Sequence, residues 1–290
     1  MIEVVRDPGL LRERLVGSRR AGQSIGLVPT MGALHAGHQA LLETARREND
    51  VVVASIFVNP LQFNRSEDLA TYPRTMETDL KLCDRCGVDI VFAPEQTDLY
   101  PAPQLTFVES PTLSAHLCGE FRPGHFRGVA TVVLKLFNLV QPDRAYFGEK
   151  DAQQLVIIRR MAQDFNLPIT VVPIPTVREA DGLAISSRNQ LLTPEHRQIA
   201  PVLSRSLRQA IDLIEAGERR ATVVREQALA VITPCAQVRL EYFELVDPEL
   251  LTPIAHIDGP VLVAAAIWLD SVRLIDNMSW PSAAGNLASF

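Results

Sequence analysis

Leu27-Val28-Pro29-Thr30-Met31-Gly32-Ala33-Leu34-His35-Ala36-Gly37-His38 decides the fold: the apolar run from Ile25 to Val28 passes through small residues into two histidines three apart, then into a helical pattern. A strand that opens into a helix start aims free backbone N–H groups and the positive end of the helix dipole at one place, and phosphate suits that place. The helix after His38 sets Leu41, Leu42 and Ala45 on one face and Glu43, Arg46, Arg47 and Glu48 outward, and Asn49-Asp50 ends it. Val51 to Val58 follows as an apolar run suited to a strand buried on both faces of a parallel sheet.

The same β–α–β pattern repeats. Pro73 to Cys86, Gly128 to Leu139 and Asp151 to Phe165 read as helices, and Val88 to Phe92, Ala145 to Phe147 and Ile169 to Ile174 as strands. Met1 to Arg20 is polar and helix-compatible, with Leu10, Leu11, Leu15 and Val16 at helical spacing. Beyond Asn189 the texture changes. Thr193-Pro194 opens a helix to about Gly217, a second covers Thr222 to Ile232, and strands follow over Val238–Leu245, Val261–Leu269 and Val272–Ile275, the last two joined tightly at Asp270-Ser271. The expectation is an α/β protein: a Rossmann-like parallel sheet domain over residues 1–175 and a smaller C-terminal α+β domain over 176–290.

With 290 residues, 47% of them hydrophobic, the chain can bury a large core. A net charge of −6 argues against nucleic acid as a partner and favours a small anionic ligand in a local basic pocket. With four cysteines and no signal-peptide or membrane-spanning run, the expected setting is cytoplasmic, with reduced thiols and no membrane partner. Cys83-Asp84-Arg85-Cys86 has CxxC spacing but no second pair, and reads as the end of a helix before Gly87.

Ligands of parallel sheets sit beyond the carboxyl ends of the strands, so the polar clusters after strands are the candidates: Asn59 to Asn64, Gly148 to Asp151 and Arg178 to Asn189. His35 and His38 flanking Gly37 can bind phosphate, or form a partly buried structural pair, or supply two metal ligands. The metal reading lacks a third ligand and the glutamate of HExxH. Lys150 at a helix start is placed to hold a phosphate, although Glu149 or Asp151 could answer its charge without any ligand. Ser186-Ser187-Arg188, after an Asp181-Gly182 turn, offers two hydroxyls and a guanidinium on a loop suited to closing over phosphates. Neither GxxxxGK[ST] nor GxGxxG is present.

Paired histidines at a strand-to-helix turn with a late Ser-Ser-Arg loop resemble the HIGH/KMSKS-type nucleotidyltransferase superfamily. Pro29 to His38, Phe57 to Phe63, Arg122 to Val129, Phe147 to Leu155 and Asp181 to Asn189 resemble, in order and spacing, the pantothenate synthetase (pantoate–β-alanine ligase) family, as does Arg273 to Asn277. Ala152, where an aromatic often stands, is the nearest thing to a departure. The resemblance implies ATP- and Mg²⁺-dependent joining of pantoate to β-alanine through a pantoyl adenylate, in a homodimer.

It further implies that His35, His38 and Lys150 contact the phosphates and that Ser186, Ser187 and Arg188 close over them. Pro29, Thr30, Met31, Gly37, Gly148, Asp151 and Val177 would seat the nucleotide. Gln62 and Gln154 would hydrogen-bond pantoate with Asn59 nearby, and Phe63, Val129, Val132 and Val133 would wall its methyl groups. No protein ligand for a metal is implied. Asn64 to Tyr72 is read as a lid.

Overall fold

A computed structural model of the chain describes residues 2–64 and 66–281. In chain order the elements are β1 (Glu3–Val5), α1 (Pro8–Arg20), β2 (Ile25–Thr30), α2 (Ala36–Glu48), β3 (Val51–Ile56), α3 (Ser66–Ala70), α4 (Met76–Arg85), β4 (Ile90–Phe92), α5 (Gln96–Leu99), α6 (Cys118–Phe121) and α7 (His125–Val140). They continue with β5 (Arg144–Gly148), α8 (Ala152–Asp164), β6 (Thr170–Ile174), α9 (Pro194–Ile199), α10 (Val202–Glu215), α11 (Ala221–Ile232), β7 (Val238–Val246), β8 (Val261–Leu269) and β9 (Val272–Trp280). Two compact units result. The first comprises Met1–Pro111, Arg122–Glu149 and Ile157–Val177, the second Thr112–Phe121, Lys150–Val156 and Arg178–Phe290.

The first unit is a six-stranded parallel sheet in the order β1-β4-β3-β2-β5-β6, flanked by helices. β2 is paired with β3 on one side (Ile25↔Val51) and with β5 on the other (Gly26↔Arg144), so the turn it feeds leaves from the middle of the sheet. Every residue of β3 is buried, as its unbroken apolar sequence requires. Leu41, Leu42 and Ala45 bring the apolar face of α2 onto this core.

The second unit packs α10 and α11 on an antiparallel sheet ordered β7-β8-β9. Its core joins Leu203, Leu207, Ile211 and Ile214 of α10 to Phe243, Val263, Ala265 and Ile267 of the sheet. Thr193 caps α9 by accepting the His196 N–H at 3.1 Å, and the β8–β9 turn is tight, with Asp270 at φ +53°. The fold is therefore the α/β architecture expected, a parallel sheet with helices plus a small antiparallel sheet.

The differences are local. β1 is too short for a period to show and lies inside the stretch read as helix-compatible. The helix expected from Thr193 to Gly217 is broken into α9 and α10 at Pro201, which has no N–H for the helical ladder. α7 starts three residues early, after Gly124 at φ +80°. β9 runs on to Trp280. Thr112–Phe121 and Lys150–Val156, placed by sequence in the first domain, belong to the second unit, where the buried Gln153 amide donates to Leu113 O and His116 O, each at 2.8 Å.

Cys83 and Cys86 close α4 and are buried, the Cys83 thiol being pushed up to about 12 by that burial, so the pair is helix-end packing as read. Among the described residues no helix is long and apolar enough to cross a membrane.

Candidate active site

Thr30 ends β2, and the chain turns through Met31, Gly32 (φ +81°) and Ala33 (φ +50°) before His35 caps α2. Gly32 suits its left-handed angle, whereas Ala33 is held there against its preference. The clamp is Asp79 of α4, only 1% exposed. Its two carboxylate oxygens accept the N–H groups of Ala33 (3.0 Å) and Leu34 (2.8 Å), and the Thr75 hydroxyl lies 3.2 Å from one of them.

Both histidines turn their Nδ1 atoms to the backbone. Nδ1 of His35 accepts the Gly37 N–H at 3.1 Å and Nδ1 of His38 accepts the His35 N–H at 3.3 Å, a reciprocal cap of the helix. An imidazole that accepts at Nδ1 carries its proton on Nε2 when neutral. The pair, with ring centroids 4.1 Å apart, thus carries two Nε2–H donors at a helix N-terminus.

Beyond β3, Asn59 caps a short 3₁₀ turn, Pro60–Gln62, and both side-chain amides are buried. The Gln62 Nε2 lies 3.0 Å from the Met31 sulfur, so the β2 turn and the 3₁₀ turn meet. The Gln62 backbone carbonyl accepts from His125 Nδ1 at 2.8 Å and from Arg122 at 3.3 Å. Val129, Val132 and Val133 are buried on α7, and Phe63 meets Tyr72 edge to face at 5.8 Å. Gly128 lets α7 reach this turn: a Cβ there would stand 2.3 Å from Leu61 O and 2.6 Å from Gln62 N. Pro29 lies within β2, Gly37 in the first turn of α2, Gly148 at the end of β5 and Val177 at the end of the first unit. Burial pushes the Glu149 carboxyl up, with the Arg159 guanidinium opposing.

In the second unit, Lys150, Ser186, Arg188 and Asn189 line a shallow, open pocket with Asp276, Arg273 and the apolar Leu183, Leu203, Leu274 and Ile275. Ser186 caps the 3₁₀ turn Ser187–Leu191 by accepting the Arg188 N–H at 3.2 Å. The carboxylate in the cavity is already committed: Asp276 is gripped by Arg178 through two bonds of 2.6 and 2.9 Å. The Arg273 guanidinium is likewise paired with Glu241. Asn277 donates to the Lys150 carbonyl at 2.9 Å. Among the described residues neither the Lys150 ammonium nor the Arg188 guanidinium forms an ion pair, so the cavity carries two uncompensated positive charges. An anion is the ligand such a lining selects. Asp151 closes the 3₁₀ segment Glu149–Asp151, and Gln154 stands half-buried in the first turn of α8.

Comparison with known proteins shows the family. A sequence model described as pantoate-beta-alanine ligase matches residues 3–279. The chain belongs to the pantoate–β-alanine ligase family. It is 53% identical to the pantothenate synthetase of Moorella thermoacetica over 277 residues, covering 96% of this chain and 98% of that protein. The crystal structure of pantothenate synthetase from Thermus thermophilus superimposes with a TM-score of 0.90 at 46% identity, covering 96% of this chain and 99% of that one. A Francisella tularensis pantoate-beta-alanine ligase, solved with β,γ-ATP and β-alanine, gives 0.79 at 34% identity, covering 96% and 97%.

Within this member of the family the structure adds residues that the sequence did not single out. Asp79, Tyr100 and the Arg178–Asp276 pair reach the site segments across gaps of more than forty residues or from a different motif, and only folding brings them there. Of the Gln153-Gln154 pair, Gln153 is the buried, structural one.

Proposed function

We propose that the chain condenses pantoate with β-alanine, using ATP, to give pantothenate, AMP and pyrophosphate through an enzyme-bound pantoyl adenylate. A carboxylate resists attack by an amine until its oxygen becomes part of a good leaving group. In the first step a pantoate carboxylate oxygen bonds to the α-phosphorus and pyrophosphate departs. In the second the β-alanine amine bonds to the acyl carbon, AMP departs and the amine proton is lost to solvent. No protein nucleophile is required, and the work is positioning and stabilisation of phosphoryl charge.

The observation that carries this reading is the histidine pair, whose backbone-held Nδ1 atoms put the proton of each ring on Nε2, a donor for phosphate at the N-terminus of α2. Lys150 and Arg188 bring charge to the phosphates, with Ser186 and Ser187 as hydroxyl donors. Pro29, Thr30, Met31, Gly37, Gly148, Asp151 and Val177 seat the nucleotide. Gln62 and Gln154, with Asn59, take the pantoate oxygens, and Phe63, Val129, Val132 and Val133 its methyl groups. The Asn64 to Tyr72 segment serves as a lid, although its Arg65 lies outside the described residues.

Mg²⁺ supplies charge neutralisation on the polyphosphate when bound. The resemblance implies no protein ligand for it, and the cation would be carried by the nucleotide's own oxygens and water. The resemblance supports a cytoplasmic homodimer.

The test is isotope exchange. Labelled pyrophosphate should enter ATP only when pantoate is present, and AMP should be released on adding β-alanine. Exchange without pantoate, or none with it, would overturn the adenylate route.

A further inference from the structure

We propose that Tyr100 is a positioning residue for pantoate: as a second donor to the Asn59 oxygen it steadies the backbone-oriented amide that fixes which end of the Gln62 amide faces the substrate. The inference rests on the assignment of Gln62 to pantoate. It follows from hydrogen-bond polarity, which the backbone sets without ambiguity.

Asn59 is 1% exposed. One end of its amide lies 3.0 Å from Gly128 O and the other 3.3 Å from Leu61 N. A carbonyl can only accept and a backbone N–H can only donate, so the end facing Gly128 is the NH₂ and the end facing Leu61 is the oxygen. The Tyr100 hydroxyl, 3.0 Å from that oxygen, must therefore donate to it. The Asn59 NH₂ also reaches the Gln62 amide at 3.0 Å, and the atom it meets must be Oε1. The NH₂ of Gln62 is left as the end turned from Asn59, and among the described residues it meets only the Met31 sulfur, a weak acceptor, at 3.0 Å.

The relay thus runs from Tyr100 through Asn59 to Gln62 and terminates in N–H donors. Such an end recognises carboxylate or hydroxyl oxygens and rejects a donor. Tyr100 is equipped to hold its part: its ring packs near Phe57 with centroids 6.0 Å apart, Lys135 Nζ lies 4.8 Å over its face, and burial raises its phenol so that it stays a donor. Without the Tyr100 hydroxyl, the Asn59 oxygen keeps the longer 3.3 Å bond from Leu61 N but loses the shorter 3.0 Å one, so the amide that holds Gln62 is less firmly fixed.

The experiment is steady-state kinetics on the full chain, with pantoate, ATP and β-alanine varied in turn, and melting temperatures alongside. Tyr100→Phe removes one oxygen and should raise the pantoate KM roughly 3- to 10-fold, the scale of one hydrogen bond, leaving the ATP KM unchanged and lowering the melting temperature by no more than a few degrees. Gln62→Glu keeps the acceptor for Asn59 but turns a carboxylate oxygen outward, and should raise the pantoate KM at least tenfold more than Tyr100→Phe does. A pantoate KM unchanged in Tyr100→Phe, or a rise shared equally by ATP with a lowered melting temperature, overturns the relay. A pantoate KM unchanged in Gln62→Ala overturns instead the assignment of Gln62 itself.

Discussion

Asp79 and Lys150 are two charged residues with opposite relations to their surroundings, and they should fail differently when altered. Asp79 is buried with both oxygens occupied by backbone N–H groups, so it belongs to the fold of the turn that carries the histidines. Asp79→Asn removes the charge and sets an NH₂ against a backbone N–H. A hydrogen bond to a charged group is worth roughly 1.5–3 kcal/mol, so the melting temperature should drop by several degrees, and pyrophosphate exchange should slow because Ala33 loses its restraint. Lys150 has no ion pair among the described residues, so Lys150→Ala should leave the melting temperature unchanged while exchange falls on the order of 10²-fold, the cost of one charge-stabilising donor. Equal melting losses in the two variants would contradict this division.

At the scale of elements, the approach of α7 to the Pro60–Gln62 turn depends on one missing side chain. Because a Cβ on Gly128 would overlap Leu61 O and Gln62 N, both backbone atoms, Gly128→Ala must push the helix or the turn aside. Overpacking of this kind costs about 1–3 kcal/mol. Urea unfolding should show that loss, and the pantoate KM should rise with it, since Asn59 also bonds to Gly128 O. Unchanged stability would mean the contact yields without strain. This coupling also marks the limit of what the sequence could show. β2, α2 and β3 were legible because each carries its own periodicity and Val51–Ile56 is apolar without a break. The histidines were legible because cap and helix start adjoin in the chain. Asp79 and Tyr100 were not, since a carboxylate in an amphipathic helix and a tyrosine before a proline have no local mark of the turns they hold. A change of texture marks the boundary read near Thr176, whereas Thr112–Phe121 and Lys150–Val156, which lie in the second unit and are bonded to each other through the buried Gln153 amide, carry no such mark.

Over the whole molecule, two cores of different construction each bear part of the proposed chemistry. A parallel sheet carries His35, His38 and Gln62, and an antiparallel sheet with its two helices carries the cavity of Lys150, Ser186 and Arg188. Both sets are assigned to phosphate, and each can be tested by itself with a non-hydrolysable ATP analogue and amide hydrogen exchange. A ligand at one hundred times its dissociation constant stabilises what it binds by about 2.7 kcal/mol. Amides whose exchange requires the bound form to open should then slow by about a hundredfold. The amides of Gly32 to His38 and those of Ala184 to Leu191 should both be protected by the analogue, while those at the far end of the second sheet, near Asp270, should change little. Protection confined to the first group would remove Lys150 and the Ser186 to Arg188 loop from the nucleotide and leave the histidines with it. Protection confined to the second would do the reverse, and would return the histidine pair to a purely capping role.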